Sequence, residues 1–284
     1  MVFFVTDLHG KIERYEKLFR QIEIEKPELV FIGGDLLPHI SPAYNGVLYK
    51  DFIPDYLGKR LQELRAFLQE NYPKIFLIFG NDDPRSEEQK ILKLEAETKL
   101  FHYAHNRKFE FETYSIYGYS YIPPTPFLLK DWEKFDVSHY LDVASISPLE
   151  GWRTVPVNEN DVDFYTIQKD LQKLETTLDL QKTIFLFHSP PYKTNLDRAA
   201  LDGKKFNHVP LDLHVGSIAI QRFIEKKQPY LTLHGHIHES TRLTGSWQEK
   251  IGNTFCFNAA TELPDLAIVS FPLASPESAK RELF

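Results

Sequence analysis

An α/β sandwich is the fold class the sequence predicts, and two patterns predict it. Short β-branched and aromatic runs alternate with longer amphipathic segments along most of the 284 residues, and each of five such runs ends in a cluster of Gly, Asp, Asn or His. In chain order, Val2 to Thr6, Leu29 to Ile32, Ile75 to Phe79, Thr183 to Phe187 and Leu231 to Leu233 read as buried strands. Between them, Ile12, Tyr15, Leu18, Phe19 and Ile22 keep the i, i+3, i+4 spacing of a helix with one buried face. So do Leu61, Leu64, Phe67 and Leu68, and later Ile167, Leu171, Leu174 and Leu178. The tract from about 101 to 162 breaks the rhythm. Paired strands are expected around Phe109 to Phe111 and Tyr114 to Tyr117, followed by prolines and by Trp132 and Trp152, and it reads as an aromatic-rich excursion of a single domain over 1–284. Near the end, Thr241 to Leu243, Thr254 to Asn258 and Leu266 to Phe271 read as three antiparallel strands separated by Gly245, Gly252 and Pro264.

Composition excludes several functions. The chain is 42% hydrophobic and 26% charged, and its 33 basic against 40 acidic residues leave a net charge of −7. That balance lacks the broad positive field of a duplex-DNA binder. The single cysteine, Cys256, excludes an intrachain disulfide and any cysteine-based zinc or iron–sulfur site, and it fits a reducing, cytoplasmic compartment. No apolar run approaches the ~18 residues of a membrane span, so no membrane insertion is expected.

The chemistry is concentrated just after the predicted strands: Asp7-Leu8-His9-Gly10, Gly33-Gly34-Asp35, Gly80-Asn81-Asp82-Asp83, His188-Ser189-Pro190-Pro191 and Gly235-His236-Ile237-His238. In an α/β sheet, ligands bind in the crevice beyond the carboxyl ends of the strands, so residues far apart in sequence can converge there. Carboxylates mixed with imidazoles suit Mn, Fe, Zn or Ni, whereas an all-oxygen set would suggest Mg or Ca. Taken singly, each residue has a plainer role open to it. Asp7, for example, could cap the helix that begins near Lys11.

These five motifs in this order resemble the calcineurin-like metallophosphoesterase family, whose pattern runs D-x-H, G-D, G-N-H with an acid, a lone His, and G-H-x-H. The resemblance spans residues 7 to 238, and the tract from His188 through Asp197, His214 and Ser217 to Glu239 is similar to the family's phosphodiesterase-like branch. It implies a metallophosphoesterase-type four-layer sandwich, two mixed β-sheets flanked by α-helices. It also implies two divalent metal ions, manganese first among them. Asp7, His9, Asp35 and His238 would hold the first, and Asp35 would bridge to a second held with Asn81, His188 and His236. The implied reaction is hydrolysis of a phosphodiester by a metal-bridging hydroxide, with no covalent enzyme intermediate. Two divalent ions, Asp7, Asp35 and a hydroxide together leave +1, enough to draw a phosphate group to a protein of charge −7. The expected partner is a small phosphorylated substrate; nucleic acid is disfavoured, and a homo-oligomer is left open. The alternatives are a phosphomonoesterase or pyrophosphatase of the same fold, or a non-catalytic metal-binding interaction module.

One departure matters. In the family the His of G-N-H is credited with stabilising phosphoryl oxygens and protonating the leaving group, and here that position is Asp82. A carboxylate repels phosphate unless its pKa is raised or it turns away. His39 and His214 are then the spare imidazoles to weigh as acid or phosphate donor against ordinary surface or packing roles. His214 stands directly before a predicted helix whose N-terminal N–H groups could also meet phosphate oxygens. Tyr117, Tyr119, Tyr121, Trp132 and Trp152 read as core and loop packing, and Lys204-Lys205 as a solvated turn.

Overall fold

The computed structural model describes residues 1–39, 51–158, 162, 165–174 and 179–284. Alternation along the first strands sets the layering. In β1 (Val2–Val5), β2 (Leu29–Gly33) and β3 (Lys74–Ile78), Val2, Phe4, Phe31, Phe76 and Ile78 turn to one face and Phe3, Val5, Val30, Ile32, Ile75 and Leu77 to the other. Both sets are buried, so these strands need cover on both sides. The second face lies under α1 (Ile12–Glu25), α2 (Lys59–Leu68) and α3 (Glu88–Thr98), through Leu18, Phe19, Ile22, Leu61, Leu64 and Ile91. The first face meets a second sheet through Ile116, Ile184, Leu186, Leu231, Leu233 and Phe257.

That second sheet contains β6 (Tyr114–Tyr119), β7 (Thr183–Phe187) and β10 (Leu231–His234). Its outer face, including Phe185 and Phe187, packs against α4 (Ile167–Leu174) and α5 (Ile218–Lys227) through Ile167, Leu171, Ile220 and Phe223. The result is helix, sheet, sheet, helix. With β4 (His102–Tyr103), β13 (Ala267–Phe271) and β14 (Lys280–Leu283), the first sheet runs β14-β13-β1-β2-β3-β4. With β5 (Lys108–Phe111), β11 (Gln248–Ile251) and β12 (Thr254–Asn258), the second runs β11-β12-β10-β7-β6-β5. Both are mixed, and β8 (Lys205–Phe206) and β9 (Val209–Pro210) form an exposed hairpin, so Lys204-Lys205 is solvated as expected but leads into a strand rather than forming a turn. No helix among the described residues is long and apolar enough to cross a membrane.

Several sequence expectations need correction. Thr241 to Leu243 is not a strand but lies within helix α6 (Ser240–Thr244), closed by a Leu243 N–H bond to the Glu239 carbonyl and ended by left-handed Gly245 at φ 74°. Three alternating residues were too few to tell the two periods apart. Nor are the last three strands one antiparallel set. The strand before Thr254–Asn258 is β11, and β12 runs parallel to β10. β13 crosses to the other sheet and lies antiparallel between β1 and β14, because its two largely buried faces need a covered slot. Phe67 is 68% exposed: six positions after Leu61, it sits roughly 240° around the helix from that stripe. Leu178, expected to end α4, lies outside the described residues. In the aromatic tract Tyr117, Tyr119, Tyr121 and Trp132 are buried, whereas Trp152 is half exposed.

Candidate metal centre

The strands that carry the polar motifs are parallel neighbours: β1, β2 and β3 in one sheet, β7 and β10 in the other. Their carboxyl ends therefore open on one edge of the sandwich. Each chain turns sharply there. Asp7 (φ 56°), His9 (48°), Asp35 (51°) and His236 (72°) all hold left-handed backbone, a conformation that costs a residue with a side chain and clusters at functional sites. Loop-to-loop bonds keep them there: Asp7 N–H donates to the Gly34 carbonyl and His9 N–H to the Asp35 carbonyl. Gly34, at φ 102°, is the close approach that makes room, because a Cβ on it would lie 2.5 Å from His188 Nδ1.

Four of the expected metal residues converge tightly. One ligand atom from each of Asp7, His9, Asp35 and His238 lies within 4.8 Å of all the others. Nε2 of His9 and Nε2 of His238 face each other at 3.2 Å, and His238 Nε2 is 3.1 Å from Asp7 Oδ1. Asp35 Oδ2 lies 3.9 Å from His9 Nε2 and 3.4 Å from His188 Nε2, so this carboxylate stands between two groups of side chains. On its far side His188 Nε2 is 3.0 Å from Asn81 Oδ1, and the His236 ring lies 5.3 Å from that of His188. The His236 N–H donates to the Asp7 carboxylate. All seven residues are brought to one place, from both sheets.

The chemistry of this cluster fits divalent cations. Its donors are oxygen and imidazole nitrogen without sulfur. His188 Nδ1 bonds the Gly33 carbonyl at 2.8 Å, which must be an N–H donation, so in the neutral ring the Nε2 lone pair faces Asp35 and Asn81. Charge demand points the same way. Burial opposes ionisation of Asp7, yet His238 and His188 outweigh it and hold the carboxyl down at about 2; Asp35 is likewise lowered, with His188 and His9 outweighing burial. Burial also opposes charge on His188, and Asp35 overrides it, pushing the imidazole up to about 10. Two buried carboxylates thus draw positive charge to themselves, while burial keeps His9 at about 4 and His236 at about 3, unprotonated and able to ligate.

Asp82 borders the cluster. Its Oδ2 lies 3.6 Å from His9 Nδ1 and 3.3 Å from His39 Nδ1, its backbone N–H donates to Asp35 Oδ1, and burial with the nearby Asp35 pushes its own pKa up to about 7. His39 stacks on His9 at 4.7 Å with its side chain 59% exposed. His214 lines the same cleft as Asp82, with Nδ1 2.7 Å from Asp197 Oδ1. The helix that follows His214 does not serve as expected. Its N-terminal N–H groups, Ile218 and Ala219, are taken by the Asp136 carboxylate, and Ser217 rather than His214 caps it. Asp7 likewise makes no cap to α1.

Comparison with known proteins agrees with this architecture. A family model described as calcineurin-like phosphoesterase matches residues 1–240. The chain belongs to that family. Among solved structures, the protein TT1561 of Thermus thermophilus superposes with a TM-score of 0.54 at 14% identity, covering 99% of this chain and 97% of that one. A dimetal phosphatase from Danio rerio gives 0.51 at 13% identity, covering 96% and 92%. At such identities the likeness is one of fold. No curated protein sequence matches the chain significantly.

In this calcineurin-like phosphoesterase three residues that sequence reasoning left without a role hold the site in shape. The Asp83 carboxylate accepts the N–H groups of Gly80, Leu36 and Leu37 at 2.7–3.0 Å, tying the Asp35 loop to the Asn81 loop. Arg14, 2% exposed within the apolar stripe of α1, donates to the carbonyls of Asp7 and Leu263. Asp197, fully buried, orients His214 and also accepts the N–H groups of Thr194, Lys193 and Gly216. An arginine on an otherwise apolar helix face was a readable signal for the second. The two aspartates stand within the quoted motifs, but their role was not readable there, because a carboxylate that bonds backbone looks in sequence like one that binds metal.

Proposed function

We propose that this family member is a dinuclear, manganese-dependent phosphodiesterase acting as one domain. Asp7, His9, Asp35 and His238 would hold one ion, and Asn81, His188 and His236 would hold the other together with Asp35. The observation that carries this reading is the placement of the Asp35 carboxylate between the His9 and His188 nitrogens. Bound there, the ions supply an activated water and neutralise charge on the phosphoryl oxygens.

The chain's own residues do the rest. Gly33 fixes the His188 tautomer, and the Asp7 and Asp35 loops brace each other through backbone bonds. Asp82 stands where the family places an imidazole; with its pKa pushed up to about 7 it is partly ionised at neutral pH, and that partial negative charge disfavours a dianionic monoester more than a monoanionic diester. That is the argument for the diester. With Nδ1 held by Asp197, His214 keeps Nε2 for the leaving oxygen, and we assign it the role of proton donor, with His39 a second imidazole at the Asp82 side.

Metal content and turnover test this together. Protein reloaded with manganese should carry two ions per chain and hydrolyse bis(p-nitrophenyl) phosphate with kcat/KM at least about tenfold above p-nitrophenyl phosphate, a difference of ~1.4 kcal/mol in transition-state stabilisation. Two bound ions with no turnover of either ester would instead indicate a binding module, and a preference for the monoester a phosphatase.

A further inference from the structure

The cleft of about 750 Å³ that holds Asp35, Asn81, His236 and His238 is lined by many residues besides them, and this remaining wall has a composition unlike that of a phosphate channel. Phe127, Tyr140, Val143, Leu201 and Leu211 line it, contributed by the aromatic tract on one side and by the segment before α5 on the other. Phe127 is 57% exposed and Tyr140 78% exposed, a large cost in apolar surface left to water unless something covers it. The acidic and basic side chains on this wall are all of one sign: Asp136, Asp142, Asp212 and Glu239. No lysine or arginine lines the cleft among the described residues. A second phosphate or a polyanionic strand reaching along it would meet carboxylates with no cation to offset them, whereas an uncharged apolar group would bury against rings and aliphatic side chains.

We infer that one of the two ester groups of the substrate is a bulky uncharged aromatic or aliphatic alcohol, seated against Phe127 and Tyr140 while the phosphodiester lies at the Asp35 end. This rests on the phosphodiesterase reading and narrows it. Nucleoside diphosphates, oligonucleotides and diesters whose alcohol carries a second phosphate are the classes it excludes. It also gives the aromatic tract a function in Phe127 and Tyr140, two of the rings that the protein leaves exposed, rather than in the tyrosines and Trp132 that it buries.

The test uses inert diesters, so that binding is read apart from turnover. Manganese-loaded protein is titrated calorimetrically with dimethyl phosphate, methyl benzyl phosphate and methyl naphthylmethyl phosphate. Kd should fall at least about tenfold from the first to the last. In the Phe127→Ser/Tyr140→Ser double variant most of that gain should vanish, with dimethyl phosphate binding as before; both side chains are more than half exposed, and an unchanged Tm verifies the fold. Methyl 2-phosphoethyl phosphate should bind no better than dimethyl phosphate. Equal affinity for the three diesters, a gain that survives the double variant, or tighter binding of the doubly phosphorylated ester would each overturn the inference. Hydrolysis of p-nitrophenyl methyl phosphate is followed separately. Its absence from protein that carries metal and still selects the naphthyl ester would refute the hydrolase reading while upholding the character of the cleft.

Discussion

At the scale of single residues, Asp35 concentrates the most consequence in the fewest atoms. Its Oδ2 faces a nitrogen of each ligand group and its Oδ1 accepts the Asp82 N–H, so an amide in its place would lose charge toward both groups at once. Asp35→Asn should lower metal affinity by at least about 100-fold, the upper range for losing even an outer partner, and remove nearly all turnover. Its far-UV circular dichroism should be unchanged, since the residue ends a strand rather than filling a core; two retained metals with normal turnover would show that Asp35 is not shared. His214 can be separated from the metal in the same way. His214→Ala should keep its metal content and Tm and lose at least tenfold in turnover, about 1.4 kcal/mol. A variant that loses Tm while keeping its specific activity would return His214 to a packing role and leave the proton donor to His39 or water.

At the scale of elements, the site is a set of loops held in left-handed turns, and Asp83 is the tie between two of them. Removing its carboxylate would leave the N–H groups of Gly80, Leu36 and Leu37 without their acceptor, each worth about 1–3 kcal/mol when buried and unsatisfied. Asp83→Ala should therefore lower Tm by several degrees and weaken metal binding by about 10–100-fold, although Asp83 itself touches none of the metal donors. Unaltered metal affinity in a folded Asp83→Ala protein would show that the two loops do not depend on the tie. How legible these elements were follows their range of interaction. Val2 to Val5, Leu29 to Ile32 and Thr183 to Phe187 declared themselves as strands because their apolar runs are local, and the ligand-bearing turns because Gly next to Asp or His is local as well. Helix α6 was hidden by β-branched Thr241 and by its own brevity. The partners of Asp83 and Asp197 were hidden because backbone N–H groups are the same at every position.

At the scale of the molecule, acid should loosen the fold through a histidine that is not among the proposed metal ligands or proton donors. His105 is buried where β4 turns toward β5, and its Nδ1 accepts the Ser120 N–H at 3.1 Å, a bond that a protonated Nδ1 could not accept. Burial, with Arg85 and Lys134 nearby, holds its pKa well below the ordinary 6.5. Between those two values the unfolded chain holds one more proton than the folded one, so stability is complete above pH 6.5 and declines as pH falls below it, by up to about 1.4 kcal/mol per pH unit. Urea midpoints taken from pH 7 to pH 5 should fall more steeply for the parent than for His105→Gln, which can still accept the Ser120 N–H. Parallel lines would remove His105 from the account; His9 and His236 are present in both proteins and cancel. The α/β class and the flanking helices were readable from the sequence at this scale, but the destination of β13 was not. Its partner β1 lies some 265 residues away, and no periodicity in either strand records which sheet the other has joined.

That placement has a consequence for how the protein is made. β1 leaves the ribosome before every other strand described above, and it sits between β2 and β13, with Val2 opposite Phe271 and Phe4 opposite Val269. Its pairing with β2 can form once residue 33 has emerged, but its other edge, four apolar residues long, must wait until Phe271 has been translated. At ~5–20 residues per second that is a delay of roughly 10–50 s, during which an unpaired hydrophobic strand is open to neighbouring nascent chains. The strand whose loop carries Asp7 and His9 is thus the earliest part of the site to be synthesised and the last to be sealed.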